Sequence, residues 1–252
     1  MTTKIPKTIQ LYQLPISHFC EKVRWALDYK GLLFERRNLL PGLHAKTASR
    51  LTGQTALPIL HDQTRIINDS AQIIDYLDQQ YPHQPLTPID HKLEAQARAW
   101  ERFADQEIGV HVRRCCYYYL LDYPEIFIEL LSQQTAWYGK FVLRCMFGQL
   151  RDRMRALMNI SKQGFLESKA RLELAVEKVA AQVLLGSHLA GPQFSRADLA
   201  VAALFAPLCR PSGYGVNWPK MPAELEQFAE PYHEILEWVN QTYHHYRSPV
   251  TK

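Results

Sequence analysis

Strand-like and helix-like segments alternate over residues 8–80, and from residue 91 onward only helical periodicity is left. That order constrains the fold more than any other feature. Residues 8–14 read as a strand, 20–29 as a helix and 33–39 as a second strand, with Gly31 the expected C-cap between helix and strand. These three form a βαβ unit. Residues 44–51 are a short helical stretch, and 57–61 and 65–68 are two strands joined by a tight turn through Asp62, Gln63 and Thr64, a hairpin. Residues 71–80 place Ile73, Ile74 and Leu77 at helical spacing, after which Pro82, Pro85 and Pro88 make 81–90 a linker. Helical patterns then occupy residues 91–120, 125–158, 166–185, 196–208 and 223–243. The expectation is a βαβαββα domain over 1–84 followed by an all-helical bundle over 85–252.

Composition narrows the class. A chain of 252 residues with 47% apolar and 21% charged residues can bury a sizeable core, which excludes disorder as the main state. The net charge of +4 is spread along the chain, so nucleic-acid binding is not expected. Five cysteines lack paired metal-type spacing, and residues 1–7 carry no visible secretion signal, which together suggest a reducing, cytoplasmic setting and no metal. The longest apolar run, 199–208, is about half the length of a membrane span and contains Pro207, so it reads as a buried helix.

Three short motifs carry chemistry. Ser17-His18-Phe19-Cys20 lies at a strand-to-helix turn, where free backbone N–H groups and the helix dipole stabilise a thiolate. In a dithiol oxidoreductase that place would hold Cys-x-x-Cys, whose first cysteine is the nucleophile. Here Ser17 replaces it, which suggests that the thiol is brought by another molecule, glutathione being the obvious candidate. N-capping alone also explains Ser17, and Cys20 falls on an apolar helical face where a free cysteine is usually core.

Leu57-Pro58 puts a proline at the start of a strand expected to be central, where its missing N–H would break the ladder. A cis bond there would expose the Leu57 main chain to an extended peptide; an ordinary trans proline on an edge strand is the alternative. Asn68-Asp69-Ser70 precedes the next helix, with Ser70 at or near its N-cap. An α-carboxylate fits the free donors there and Asp69 could pair with an α-amino group, although capping by itself accounts for both residues.

Taken together, residues 17–24, the Leu57-Pro58 turn and Asp69-Ser70, in this order and with a helical domain behind them, resemble the soluble glutathione S-transferases. The resemblance extends across essentially the whole chain and implies a thioredoxin-like N-terminal domain. Ser195-Arg196-Ala197-Asp198 resembles that family's capping box, a structural motif. The resemblance implies that Ser17 hydrogen-bonds the glutathione sulfur, that Leu57 pairs with the cysteinyl backbone in a turn shaped by Pro58, and that Asp69 and Ser70 hold the γ-glutamyl end. The glycyl carboxylate would be met by His44, Lys46, Arg50 or Gln54. Tyr12 is a substitute for Ser17, although the position matching a tyrosine-type site is Gln13.

The implied activity is that of a transferase: bound glutathione loses its thiol proton near neutrality and the thiolate adds to a small hydrophobic electrophile, the chemistry of detoxification. The electrophile would lie between the domains, with residues 115–119 and Trp137-Tyr138 either lining it or packing the bundle. Arg113-Arg114 and Arg151, Arg153 and Arg155 could attract an anionic ligand or form solvated faces. A glutathione-dependent peroxidase or oxidoreductase and a non-catalytic scaffold are the alternatives. The resemblance also implies a homodimer.

Overall fold

The computed structural model describes residues 8–186 and 188–247, so residues 1–7, which bear on the secretion signal, lie outside the described residues. Strands β1 (Ile9–Gln13) and β2 (Phe34–Asn38) pair in parallel across helix α1 (His18–Tyr29). After α2 (His44–Thr52), β3 (Ile59–Asp62) and β4 (Arg65–Asn68) form the expected hairpin, and α3 (Ser70–Gln80) closes the unit. The sheet order is β2-β1-β3-β4, with β3 antiparallel to both neighbours.

Local chemistry accounts for these elements. In β1, Ile9, Leu11 and Gln13 are buried and the alternate residues are half-buried, the period-2 pattern of a packed strand. All four residues of central β3 are buried. Lys30 caps α1, and Gly31 follows at φ 67°, so the glycine is the residue after the cap rather than the cap. Pro58 stands just ahead of β3 and costs the ladder no hydrogen bond.

The helical part comprises α4 (His91–Phe103), a π-helical turn (Ala104–Gly109), α5 (Val110–Leu120), α6 (Pro124–Ser132), α7 (Gly139–Leu157), α8 (Lys162–Val183), α9 (Arg196–Cys209), α10 (Ala223–Ala229) and α11 (His233–Tyr246). The pattern expected as one helix over 125–158 is two, because Gln134 adopts φ 57° in the connection. That expected over 223–243 is also two, broken by a 3₁₀ turn at Pro231, which has no N–H for an α-helical bond. Helix α9 is buried over nearly its whole length and packs against α1, α4 and α11. Its N-terminus carries the expected capping box: Asp198 Oδ2 accepts from the Ser195 N–H at 3.0 Å, and Ser195 Oγ accepts from the Ala197 N–H at 3.3 Å. No described helix is long and apolar enough to cross a membrane.

The two parts meet along a seam of buried ions. Helix α1 buries Glu21, Lys22, Arg24 and Asp28, side chains that an amphipathic helix would leave in water. Lys22 Nζ lies 2.9 Å from both Glu101 Oε1 and Asp105 Oδ1. Glu101 in turn pairs with Arg196 of α9, and Arg196 with Asp75 of α3. On the same helix Glu21 binds Arg24 and Arg247, and Arg247 also binds Asp28. Each buried charge therefore has an opposite partner, the condition under which such burial is tolerated.

Candidate active site

The turn after β1 ends at Ser17, the N-cap of α1 (φ −71°, ψ 121°). The Ser17 N–H donates to the Leu14 carbonyl at 3.0 Å, and Ser17 Oγ accepts from the Cys20 N–H at 3.4 Å. Capping uses a lone pair of the hydroxyl, which also lies within hydrogen-bonding reach of the Cys20 thiol. Ser17 as a whole is half-buried. Cys20 is fully buried and burial pushes its thiol pKa up, which makes it a core side chain and not a nucleophile. His18 is also buried; burial, helped by the Arg113 charge, brings its pKa down to about 3, and its Nε2–H donates to the Gly109 carbonyl at 2.9 Å.

Sheet register brings the second and third motifs to the same end. Tyr12 lies opposite Ile59, and Ile59 opposite Asn68, so the end of β1, the start of β3 and the end of β4 are neighbours. Asp69 follows Asn68 directly, Leu57 lies two residues before Ile59, and Ser17 lies four residues past the end of β1. The Leu57–Pro58 peptide bond is cis, and Pro58 is buried while Leu57 is half-buried. Asp69, not Ser70, is the N-cap of α3: its Oδ1 accepts from the Ala71 and Gln72 N–H groups at 2.9 and 3.1 Å. Asp69 holds φ 71°, a left-handed geometry that Asp tolerates better than most residues, and its carboxylate is exposed. Ser70 is the first helical residue and is buried.

The glycyl-end candidates differ in position. His44 opens α2, and its Nδ1 accepts from the Gly42 N–H at 3.1 Å; burial lowers its pKa, with the Arg153 charge adding. Lys46 and Arg50 are exposed on α2. Gln54 Oε1 accepts from Asn68 Nδ2 at 3.0 Å, which ties Gln54 to the residue before Asp69. The tyrosine-type alternatives are engaged elsewhere. Tyr12 Oη donates back along its strand to Gln10 at 3.3 Å, and Gln13 is held between Asn38 and Arg24 at 2.8 and 2.7 Å.

Beside this end a cleft runs between the β1–α1 turn and the helical part, lined by Ile16, His18, Arg113, Cys116, Tyr117 and Leu120 with Trp218 and Met221 opposite. Of the aromatic run 115–119, Tyr117 therefore faces the cleft, whereas Tyr118 and Tyr119 pack on Phe165 in the bundle. Trp137 is 94% exposed on the α6–α7 connection and is not among the cleft residues. Arg114 is committed to the Met158 carbonyl and the Ser168 hydroxyl, and Arg151 and Arg155 pair with surface carboxylates.

Two contributors escaped sequence reasoning. Asp105, in the π-helical turn, faces Asp69 closely enough to feel its charge; burial pushes the Asp105 carboxyl up against the opposing effect of Lys22. Gly109 lies so close to the Ser17-His18-Phe19-Cys20 turn that a Cβ there would sit 2.7 Å from the Phe19 ring. The only sequence signal for Asp105 is the charge density of α1, whose Lys22 needs an acid from elsewhere in the chain.

Comparison with known proteins bears on the fold. Residues 11–85 match the family model "Glutathione S-transferase, N-terminal domain". Glutathione S-transferase Z2 of Arabidopsis thaliana is 33% identical over 132 residues, 51% of this chain and 57% of that protein. A stringent starvation protein A homolog of Pasteurella multocida is 32% identical over 71 residues, 28% of this chain and 34% of that protein. The chain thus spans between a third and somewhat over half the length of these curated relatives. A delta-class glutathione transferase of Nilaparvata lugens superposes with a TM-score of 0.60 at 19% identity, over 95% of this chain and 90% of that one. Residues 11–85 are therefore similar to the N-terminal domain of the glutathione S-transferases, and the chain as a whole has that family's fold, a thioredoxin-like domain followed by a helical one.

Proposed function

We propose that this chain is a glutathione transferase: it binds glutathione at the sheet end formed by Ser17, Leu57-Pro58 and Asp69-Ser70, and presents the thiolate to an electrophile in the adjoining cleft. The observation that carries this reading is the convergence of two helix N-termini, those of α1 and α3, with the start of β3 at one end of the sheet. The Ser17 hydroxyl donates to the sulfur, and the first N–H groups of α1 favour the anion. Thiols at helix N-termini have pKa values lowered from about 8.5 toward neutrality. Leu57 offers main-chain groups to the cysteinyl residue of glutathione. Ser70 and the α3 N-terminus receive the α-carboxylate, while Asp69, with Asp105 nearby, receives the α-ammonium group. The glycyl end is met by His44, Lys46, Arg50 or Gln54; of these Gln54 is bonded to Asn68, on the side of the proposed γ-glutamyl contacts.

The thiolate then attacks the electrophilic carbon, forming a C–S bond, and the displaced electron pair leaves with the departing group or takes up a proton. A cysteine-based oxidoreductase is disfavoured because Cys20 is buried with a raised pKa. The division into a glutathione domain over 1–84 and a helical domain over 85–252, a homodimeric state and a cytoplasmic location belong to the same proposal. The test is ultraviolet absorbance of the thiolate as glutathione is titrated into the purified protein between pH 5 and 9. A saturable signal near neutral pH is the expected result. Folded protein that binds glutathione without producing thiolate would overturn thiol activation, and protein that does not bind it would leave the fold serving a non-catalytic role.

A further inference from the structure

We propose that the cleft beside the β1–α1 turn takes an electrophile bearing a carboxylate, received by the Arg113 guanidinium and the Trp218 indole N–H. This names the class of the second substrate, so it rests on the transferase reading. Arg113 Nε and Trp218 Nε1 are both buried and neither has a hydrogen-bond acceptor. Folded proteins pair nearly all buried donors, and one left without an acceptor is costly, more so on a cation. Both residues line the same cleft, and no carboxylate is among its lining residues.

Around Arg113 the structure offers an aromatic face and no acidic neighbour. Its guanidinium lies 6.0 Å from the Phe19 ring centroid, two residues from Ser17. The one other ionisable nitrogen base on the lining is His18, which is neutral at physiological pH and already donates to Gly109. The neighbouring Arg114 has its own acceptors on the α8 side. A carboxylate supplies two acceptor oxygens in a plane, which matches one guanidinium and one indole donor, and it neutralises the charge that the cleft leaves uncompensated. The rest of the lining, including Ile16, Leu120 and Met221, suits an apolar body carrying that group. The space in the cleft is only ≈ 20 Å³, about enough for one water, so a guest can be seated only if the segment carrying Trp218, whose Gly215 and Asn217 are hydrogen-bonded to Gln134 and Gln133, shifts.

The test uses 4-chloro-3-nitrobenzoate and 4-chloro-3-nitrobenzamide, close in shape and different in charge. With either, the glutathione thiolate forms a C–S bond at the chlorinated ring carbon and chloride leaves with the C–Cl electron pair. Rates are divided by the uncatalysed rate for each compound, and binding of the two glutathione conjugates is measured in parallel by calorimetry. The expected result is about a tenfold or greater preference for the carboxylate in both readouts, the scale of a hydrogen bond to a charged group. In Arg113→Gln the preference should collapse, and Trp218→Phe, which keeps an aromatic side chain but lacks the N–H, should reduce it in part. Equal handling of the two compounds by the wild type, or a preference that survives in Arg113→Gln, would overturn the proposal. Binding of glutathione without turnover of either compound would sink the transferase reading alone, leaving conjugate binding to decide the carboxylate site; no binding of glutathione or of either conjugate would sink both.

Discussion

The end of the sheet that gathers the three motifs and the ionic seam between the two parts of the molecule are built from opposite kinds of information. At the sheet end, each contributor is a short contiguous motif that explains its own local geometry: Ser17 caps α1, Asp69 caps α3, and Pro58 sits just before β3. In the seam, Lys22 meets Glu101 and Asp105, and Arg196 meets Asp75, partners separated by most of a domain or more. A cap is satisfied within a few residues, whereas a buried ion is satisfied only by the assembled fold. Substitutions at the first region should therefore affect chemistry more than stability, and those in the second the reverse.

The sharpest way to break that contrast is Lys22→Met. It leaves half-buried Asp105 and one oxygen of buried Glu101 without their cation, and a loss of about 3 kcal/mol is expected in chemical denaturation. Little loss would mean that the seam is hydrated. At the other region, Ser17→Ala should reduce kcat/KM for conjugation by about 10²-fold, the scale of losing one preorganised donor to a developing anion. The accompanying cap loss is about 1 kcal/mol. Glutathione affinity should change far less than rate, and an unaltered rate would shift thiol activation to the backbone donors.

Between the two regions stands His18, and its effect is on pH dependence. Its folded-state pKa of about 3 lies below its unfolded value of 6.5, so the unfolded chain binds the extra proton first. Stability from this group is complete above pH 6.5 and falls as the pH drops toward 3. The slope is about 1.4 kcal/mol per pH unit. His18→Gln should flatten denaturation midpoints between pH 6.5 and 5, and an unflattened profile would assign the acid sensitivity to other groups. The smallest expected effect comes from Asp69→Asn, which keeps the cap and the tolerated left-handed backbone but removes the charge. Glutathione binding should weaken about tenfold, within the range for a charged hydrogen bond, while the melting temperature stays in place. Unchanged affinity would move the α-ammonium contact to Asp105.

The same contrast explains what was legible in advance. The strand and helix order, the hairpin and the linker could be read because their determinants are local: periodicity, Gly31 after a helix, and three prolines in a row of turns. Ser17 and Asp69 could be named because capping residues act on their own neighbours. Where the reading slipped, the cause was also physical. Gln134 at φ 57° breaks an apolar pattern that looks continuous, and Asp69 takes the cap that Ser70 was expected to share. The burial of Glu21, Lys22, Arg24 and Asp28 had no local signal, because charged side chains look solvated until their partners are known.

By itself, then, the sequence determined the elements, their order and the three motifs that sit at helix and strand ends, since each depends on interactions a few residues apart. Tertiary structure decided the rest. Register placed the three motifs at one end of the sheet, the π-helical turn carried Asp105 toward Asp69 and Lys22, and the fold buried Arg113 Nε without an acceptor. Such features depend on burial and on distances between remote segments, which a linear pattern of residues does not contain.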